Sequence, residues 1–176
     1  RSAWMLSLLG VLSALTSLIS PVISRLCGNR RRIFMLFCGI GILLSCLAIV
    51  LMLAVNLRSP LLATLLLCTV TVAANVIPLQ VALLRETNSY EVMGVGVSFM
   101  NFCAYLAVAV LGNAVGLLMD IFPPERIDAR MLYGRNSYLA VFIILLAFAC
   151  FGAYSSTRLR ETMGNSIPEQ DTGKKI

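Results

Sequence analysis

The sequence predicts an all-α fold, a polytopic transmembrane helix bundle, and three observations carry that reading. Five long apolar runs, at about 3–24, 33–56, 61–84, 92–119 and 138–157, each approach or exceed the roughly 20 residues that a helix needs to cross the hydrocarbon core. Charged residues make up 12% of the chain against 59% hydrophobic ones, whereas a soluble domain carries about 25% charged. The runs also lack the polar/apolar alternation of barrel strands. Inside lipid each backbone amide must be satisfied within its own segment or in a closed barrel, so helices remain. Residues 1–157 therefore read as one transmembrane unit. Residues 158–176, rich in Gly, Ser, Pro, Glu and Lys with no apolar face to bury, read as a disordered tail.

Taken in order, the spans differ in polarity. Span one places Ser13, Thr16, Ser17 and Ser20 at the spacing of one helix face. Span two carries only Ser45 and the terminal Asn56 beyond small and apolar residues. Span three holds Thr64, Thr69, Thr71, Asn75 and Gln80 around Pro78, which removes an amide donor and predicts a kink. Span four opens with Gly94-Val95-Gly96, puts Ser98, Asn101 and Tyr105 on one face, and closes with Gly112-Asn113-Ala114-Val115-Gly116. Span five has little polarity between Val141 and Gly152. Spans two and five thus read as peripheral, while one, three and four each have a side that lipid does not favour. Gly94, Gly96, Gly112 and Gly116 are expected to pack against neighbouring helices, which need small residues because lipid supplies no hydrophobic drive for their association.

The breaks between spans set the topology. Three are short and polar; the fourth, 121–137, opens with Pro123-Pro124 and reads as a partly ordered external loop whose charges cancel. If the Arg25–Arg32 break is cytoplasmic, nine of the 14 basic residues lie on that side, a bias that puts the C terminus in the cytoplasm. The net charge of +6 therefore follows span ends rather than a soluble face, which argues against nucleic acid. Six cysteines lie almost wholly within the apolar runs without CxxC spacing, and histidine is absent, so neither a metal site nor a disulfide framework is expected. Paired mid-span carboxylates, a catalytic histidine and an activated nucleophile are equally missing, which argues against an enzyme and against a cofactor.

At the first break, Pro21-Val22-Ile23-Ser24-Arg25-Leu26-Cys27-Gly28-Asn29-Arg30-Arg31 resembles the loop signature Gly-x-x-x-Asp-Arg-x-Gly-Arg-Arg of the major facilitator superfamily of secondary transporters. Gly28, Arg30 and Arg31 fit it; Pro21, Arg25 and Leu26 depart from the first glycine, the acid and the first base. Arg85-Glu86-Thr87-Asn88 through Glu91 to Gly94 and Gly96 is similar to the turn leading into that family's glycine-rich eleventh helix. The chain then corresponds to helices eight to twelve of twelve, whose ninth and twelfth are peripheral, in agreement with the polarity pattern.

The resemblance implies alternating access, in which two halves rock about a midplane site. It implies a plasma (inner) membrane protein with a small-molecule solute and the N-terminal half of the same chain as partners, and seven further spans upstream of Arg1. Arg25, Gly28, Arg30 and Arg31 would belong to a cytoplasmic gate, with Arg25, Arg30 or Arg31 pairing with Glu91. Asn75, Gln80, Asn101, Tyr105 and Asn113 are the candidates for solute contact, since amides and a phenol at mid-membrane require hydrogen-bonding partners. The reading from another class is a non-transporting scaffold or accessory subunit whose polar spans simply pack on partner helices.

Overall fold

The structure, a computed structural model, describes residues 2–57, 59–122, 125–127, 130–159 and 161–164. Pro123, Pro124, Asp128 and residues 165–176, on which parts of the loop and tail expectations rest, lie outside the described residues. Among the described residues, five helical spans are long and apolar enough to cross a membrane. They comprise α1 (Ser2–Leu26), α2 (Arg31–Ala54), α3 (Pro60–Ala74) with α4 (Ile77–Thr87), a 3-10 turn (Tyr90–Val92) leading into α5 (Met93–Ile121), and α6 (Arg135–Thr157).

Local chemistry sets where each helix starts and stops. Pro21 lies inside α1 and cannot donate to the Ser17 carbonyl; the Ser20 hydroxyl donates to it instead, weakly, at 3.5 Å. α1 ends in a Schellman turn, with Asn29 N–H donating to Ser24 O at 2.9 Å and Gly28 N–H to Arg25 O at 3.1 Å. Gly28 takes φ +73°, which a glycine adopts without a steric penalty. α3 begins on Ser59, whose hydroxyl accepts from Leu62 N–H at 3.4 Å, with Pro60 in the first turn where its missing donor costs nothing.

The third span is broken rather than kinked. Pro78 has no amide for the Ala74 carbonyl, which accepts from Val76 N–H at 3.0 Å instead. Asn75 leaves helical geometry (φ −84°, ψ 54°), and α4 restarts at Ile77 with Pro78 in its first turn.

Packing does not follow the polarity pattern. α2 packs most extensively on α6 and next on α3, so one face of the apolar second span contributes Ser45, Cys46 and Ile49 to the interior while Phe37, Leu44 and Leu51 face outward. The reason is small residues. A Cβ on Gly39 would lie 3.3 Å from the Ala153 Cα of α6, and one on Gly41 would lie 3.7 Å from the Ala73 Cβ of α3. α5, expected to pack at both ends, has no buried residue and meets only α4, α6 and the 3-10 turn appreciably. Of its four packing glycines, Gly96 closes on Leu84, whose Cδ2 would be 3.3 Å from an added Cβ, whereas Gly94, Gly112 and Gly116 face open space. The buried apolar set is correspondingly thin: Cys46, Ile49, Ala73, Val76, Leu79 and Ala149. A bundle in lipid needs no larger core, because its outward apolar surface is already solvated.

Between α5 and α6 the expected loop contains an antiparallel hairpin, β1 (Glu125–Ile127) with β2 (Arg130–Leu132), registered Glu125 to Leu132, Arg126 to Met131 and Ile127 to Arg130. After α6 the described residues are 158–159 and 161–164. Thr162 is buried, and the contacts that hold it are polar, so a search for an apolar face misses them.

Candidate functional site

The arginine end of the bundle is organised around Arg31, the first residue of α2. Its Nη2 and Nε donate to Glu86 Oε1 at 3.0 and 3.3 Å, and its Nη1 donates to Ser24 Oγ at 2.9 Å. Both charged side chains are about nine-tenths buried, at 9% and 11% exposure. The second carboxylate oxygen, Glu86 Oε2, accepts from the Thr162 hydroxyl. Ser24 lies in the last turn of α1, Arg31 starts α2, Glu86 lies in the last turn of α4 and Thr162 follows α6, so three helices and the segment after α6 meet on one ion pair.

This corrects the expected pairing with Glu91. Asn88 takes an extended conformation at the end of α4, and the turn that follows carries Glu91 out on the exposed 3-10 turn. Glu86, one helical turn earlier, stays on the face of α4 toward α1 and α2. Arg25 and Arg30 are exposed, and among the described residues neither makes a side-chain hydrogen bond or ion pair. Gly28 serves the α1 turn. Desolvating two opposite charges costs several kcal/mol each, so the net stabilisation from such a pair is small, while removing one partner strands the other. A buried pair of this kind defines one arrangement of helices sharply.

The second polar locus is the break in span three. The Asn75 amide accepts from Ser13 Oγ at 2.9 Å and donates to Thr71 O at 2.8 Å, tying α1 to the interruption. Thr16 and Ser20 on the same face of α1 bond backward along their own helix. Gln80, half-buried on α4, has no side-chain hydrogen bond among the described residues.

The remaining candidates for solute contact lie apart from this locus. Asn101 and Tyr105 are exposed on α5, Tyr105 at 76%, and Asn113 donates to Ala109 O at 2.9 Å on its own helix. The structure thus joins Asn75 to Ser13. Two clefts among the described residues contain none of the five candidates. One, of about 240 Å³, is lined by Met52, Leu53, Asn56, Leu57, Tyr133, Arg135 and Tyr138; the other, about 650 Å³, by Arg85, Tyr90, Met93, Gly94 and Val97. No group of His, Cys, Asp or Glu among the described residues could hold a metal ion.

Sequence reasoning missed Ser24, Glu86 and Thr162. Ser24 extends the Ser13/Thr16/Ser17/Ser20 face by one turn, and Glu86 stands in the same short polar turn as Glu91, so both carried a readable signal. Thr162 carried none. Comparison of the chain with protein-family models, with curated proteins and with solved structures finds no match.

Proposed function

We propose that this chain is part of a secondary transporter of the major facilitator type and moves a small, neutral, polar solute by alternating access. The observation that carries the reading is the interruption of span three at Asn75–Val76, with the Asn75 amide held by Ser13. Irregular backbone at membrane depth is tolerated only where protein or a water-filled cavity covers it, and discontinuous helices of this sort frame binding sites in transporters. Asn75 and Gln80 at the break, with Asn101 and Tyr105 on the open face of α5, supply hydrogen-bonding groups without a formal charge. The Arg31–Glu86 pair acts as a gate: formed in one state and broken in the other, it biases the equilibrium by the difference in its contact energy. In this reading the arginine end and the C terminus are cytoplasmic and the membrane is the plasma (inner) membrane. Lipid, the solute and an N-terminal half are the partners, with no enzymatic step, cofactor or nucleic acid.

The test is uptake by cells or vesicles containing the full-length protein, scanned across neutral polar solutes, with Asn75→Ala and Asn101→Ala beside the unaltered chain. Flux that is lost in the variants while membrane insertion stays normal supports transport. No flux for any solute, with both variants as stable as the parent, returns the chain to the scaffold class.

A further inference from the structure

The chain after α6 does more than leave the membrane. α2 begins with no acidic residue in its first turn and no side-chain cap, and α6 ends with no basic residue in its last turn. Each deficit is met by the other element. Glu161 Oε1 accepts from the Arg32 backbone N–H at 3.4 Å, placing a carboxylate at the positive end of α2. Arg32 Nη2 donates to Thr157 O at 2.9 Å, placing a guanidinium at the negative end of α6. Thr162 then turns inward, is 6% exposed, and donates to Glu86 Oε2. Gly164 (φ +83°) closes on the Asn29 side chain, such that an added Cβ would lie 3.3 Å from the Asn29 Cβ. Arg31 and Thr162 thus grip the two oxygens of one carboxylate, both from the α2–α6 side, where the packing of the bundle is most extensive.

We propose that residues 161–164 form a strap, carried by α6, whose seating on Glu86 closes the arginine end of the bundle and which must lift for that end to open. The proposal rests on the gate reading of the Arg31–Glu86 pair and adds to it a second grip from the C-terminal segment. The seam that opens is specified: α4 with α1 separates from α2 with α6, breaking Ser24–Arg31, Arg31–Glu86 and Thr162–Glu86 together. The α2–α6 caps, which lie on one side of that seam, stay intact.

The test is a cysteine pair, Asn29→Cys with Gly164→Cys, in the full-length protein in membrane vesicles, with Cys27→Ser to remove the neighbouring thiol. The Cβ separation lies just below the usual disulfide range of about 3.5–4.5 Å. Oxidation is expected to cross-link the pair, several-fold more slowly when Glu86→Ala is added, because Glu86 seats the strap. Cross-linking is also expected to lower flux at least about ten-fold, with recovery on reduction. An unchanged cross-linking rate in Glu86→Ala overturns the seating, and cross-linked protein with full flux overturns the lifting. A parent with no flux sinks the transport reading alone, because the cross-linking comparison still decides whether Glu86 seats the strap. Both positions take positive φ, so a second variant guards against misfolding. Thr162→Val should lower the melting temperature in the parent but not in Glu86→Ala, which removes the hydrogen-bonding partner, and additive effects in the two backgrounds overturn the proposal.

Discussion

Arg31 and Glu86, 55 residues apart in sequence, meet at 3.0 Å with both side chains buried. Neither α2 nor α4 could bury its charge alone, so each of these helix ends depends on the other.

The first prediction follows from that dependence. Glu86→Gln or Arg31→Ala leaves an uncompensated buried partner and is expected to cost about 3 to 5 kcal/mol. Replacing both together with Leu and Met should recover most of it, since well-packed apolar pairs rival buried ion pairs. Thermal unfolding of the purified protein in detergent reads both. A double variant no more stable than the singles would show that the pair stabilises the fold in its own right.

Breaking the Ser13–Asn75 bond should have a modest effect on stability and a large one on function. Interhelical hydrogen bonds in membranes average about 0.6 kcal/mol, so Ser13→Ala should move the melting temperature little. Flux is expected to fall much further than stability, because the bond fixes the amide at the break. Equal, small changes in both would assign Asn75 to packing.

Pro78→Ala restores an amide donor opposite the Ala74 carbonyl. Continuous helix through 74–78 becomes favourable by about 3 kcal/mol of propensity, and the two half-helices are expected to fuse. The variant should be at least as stable as the parent yet poor in transport. Retained flux would mean that the interruption is dispensable.

The two classes of glycine should separate cleanly. Gly39→Leu drives a side chain into the Ala153 backbone and is expected to cost about 1 to 3 kcal/mol or more by overpacking. Gly112→Ala meets nothing within 4 Å and should stabilise α5 by about 0.5 to 1 kcal/mol through helix propensity. Loss of stability in Gly112→Ala, measured on the full-length protein, would reveal a second helix lying against that face.

What the sequence made legible was set by strong, local physics. Span number and extent follow from hydropathy alone, and the missing amide of Pro78 marked span three as irregular, though as a kink and not as the break at Asn75. The polar face of span one was readable because four hydroxyls recur at helical spacing. What escaped depended on rotation and distance. Glu86 and Glu91 are interchangeable in a charge count, and only the end of α4 at Asn88 decides which faces Arg31. Gly39 and Gly41 were passed over because span two lacks polar residues, yet close approach needs absent side chains rather than polar ones. The seating of residues 161–162 depends on Glu86, 76 positions from Thr162, and on Arg32, 129 positions from Glu161, separations at which no periodicity gives a signal.

The 29 residues of α5 make a rod of about 43 Å, against a hydrocarbon core of about 30 Å. Even at the upper end of ordinary helix tilts, about 40°, it would still project some 33 Å along the membrane normal. None of its residues is buried, and its angle is set where it packs on α4 and α6. Its tight point of contact is Gly96 against Leu84, two residues before Glu86. A bilayer of different thickness is therefore expected to load this helix, and the Leu84 contact is the place where that load would reach α4.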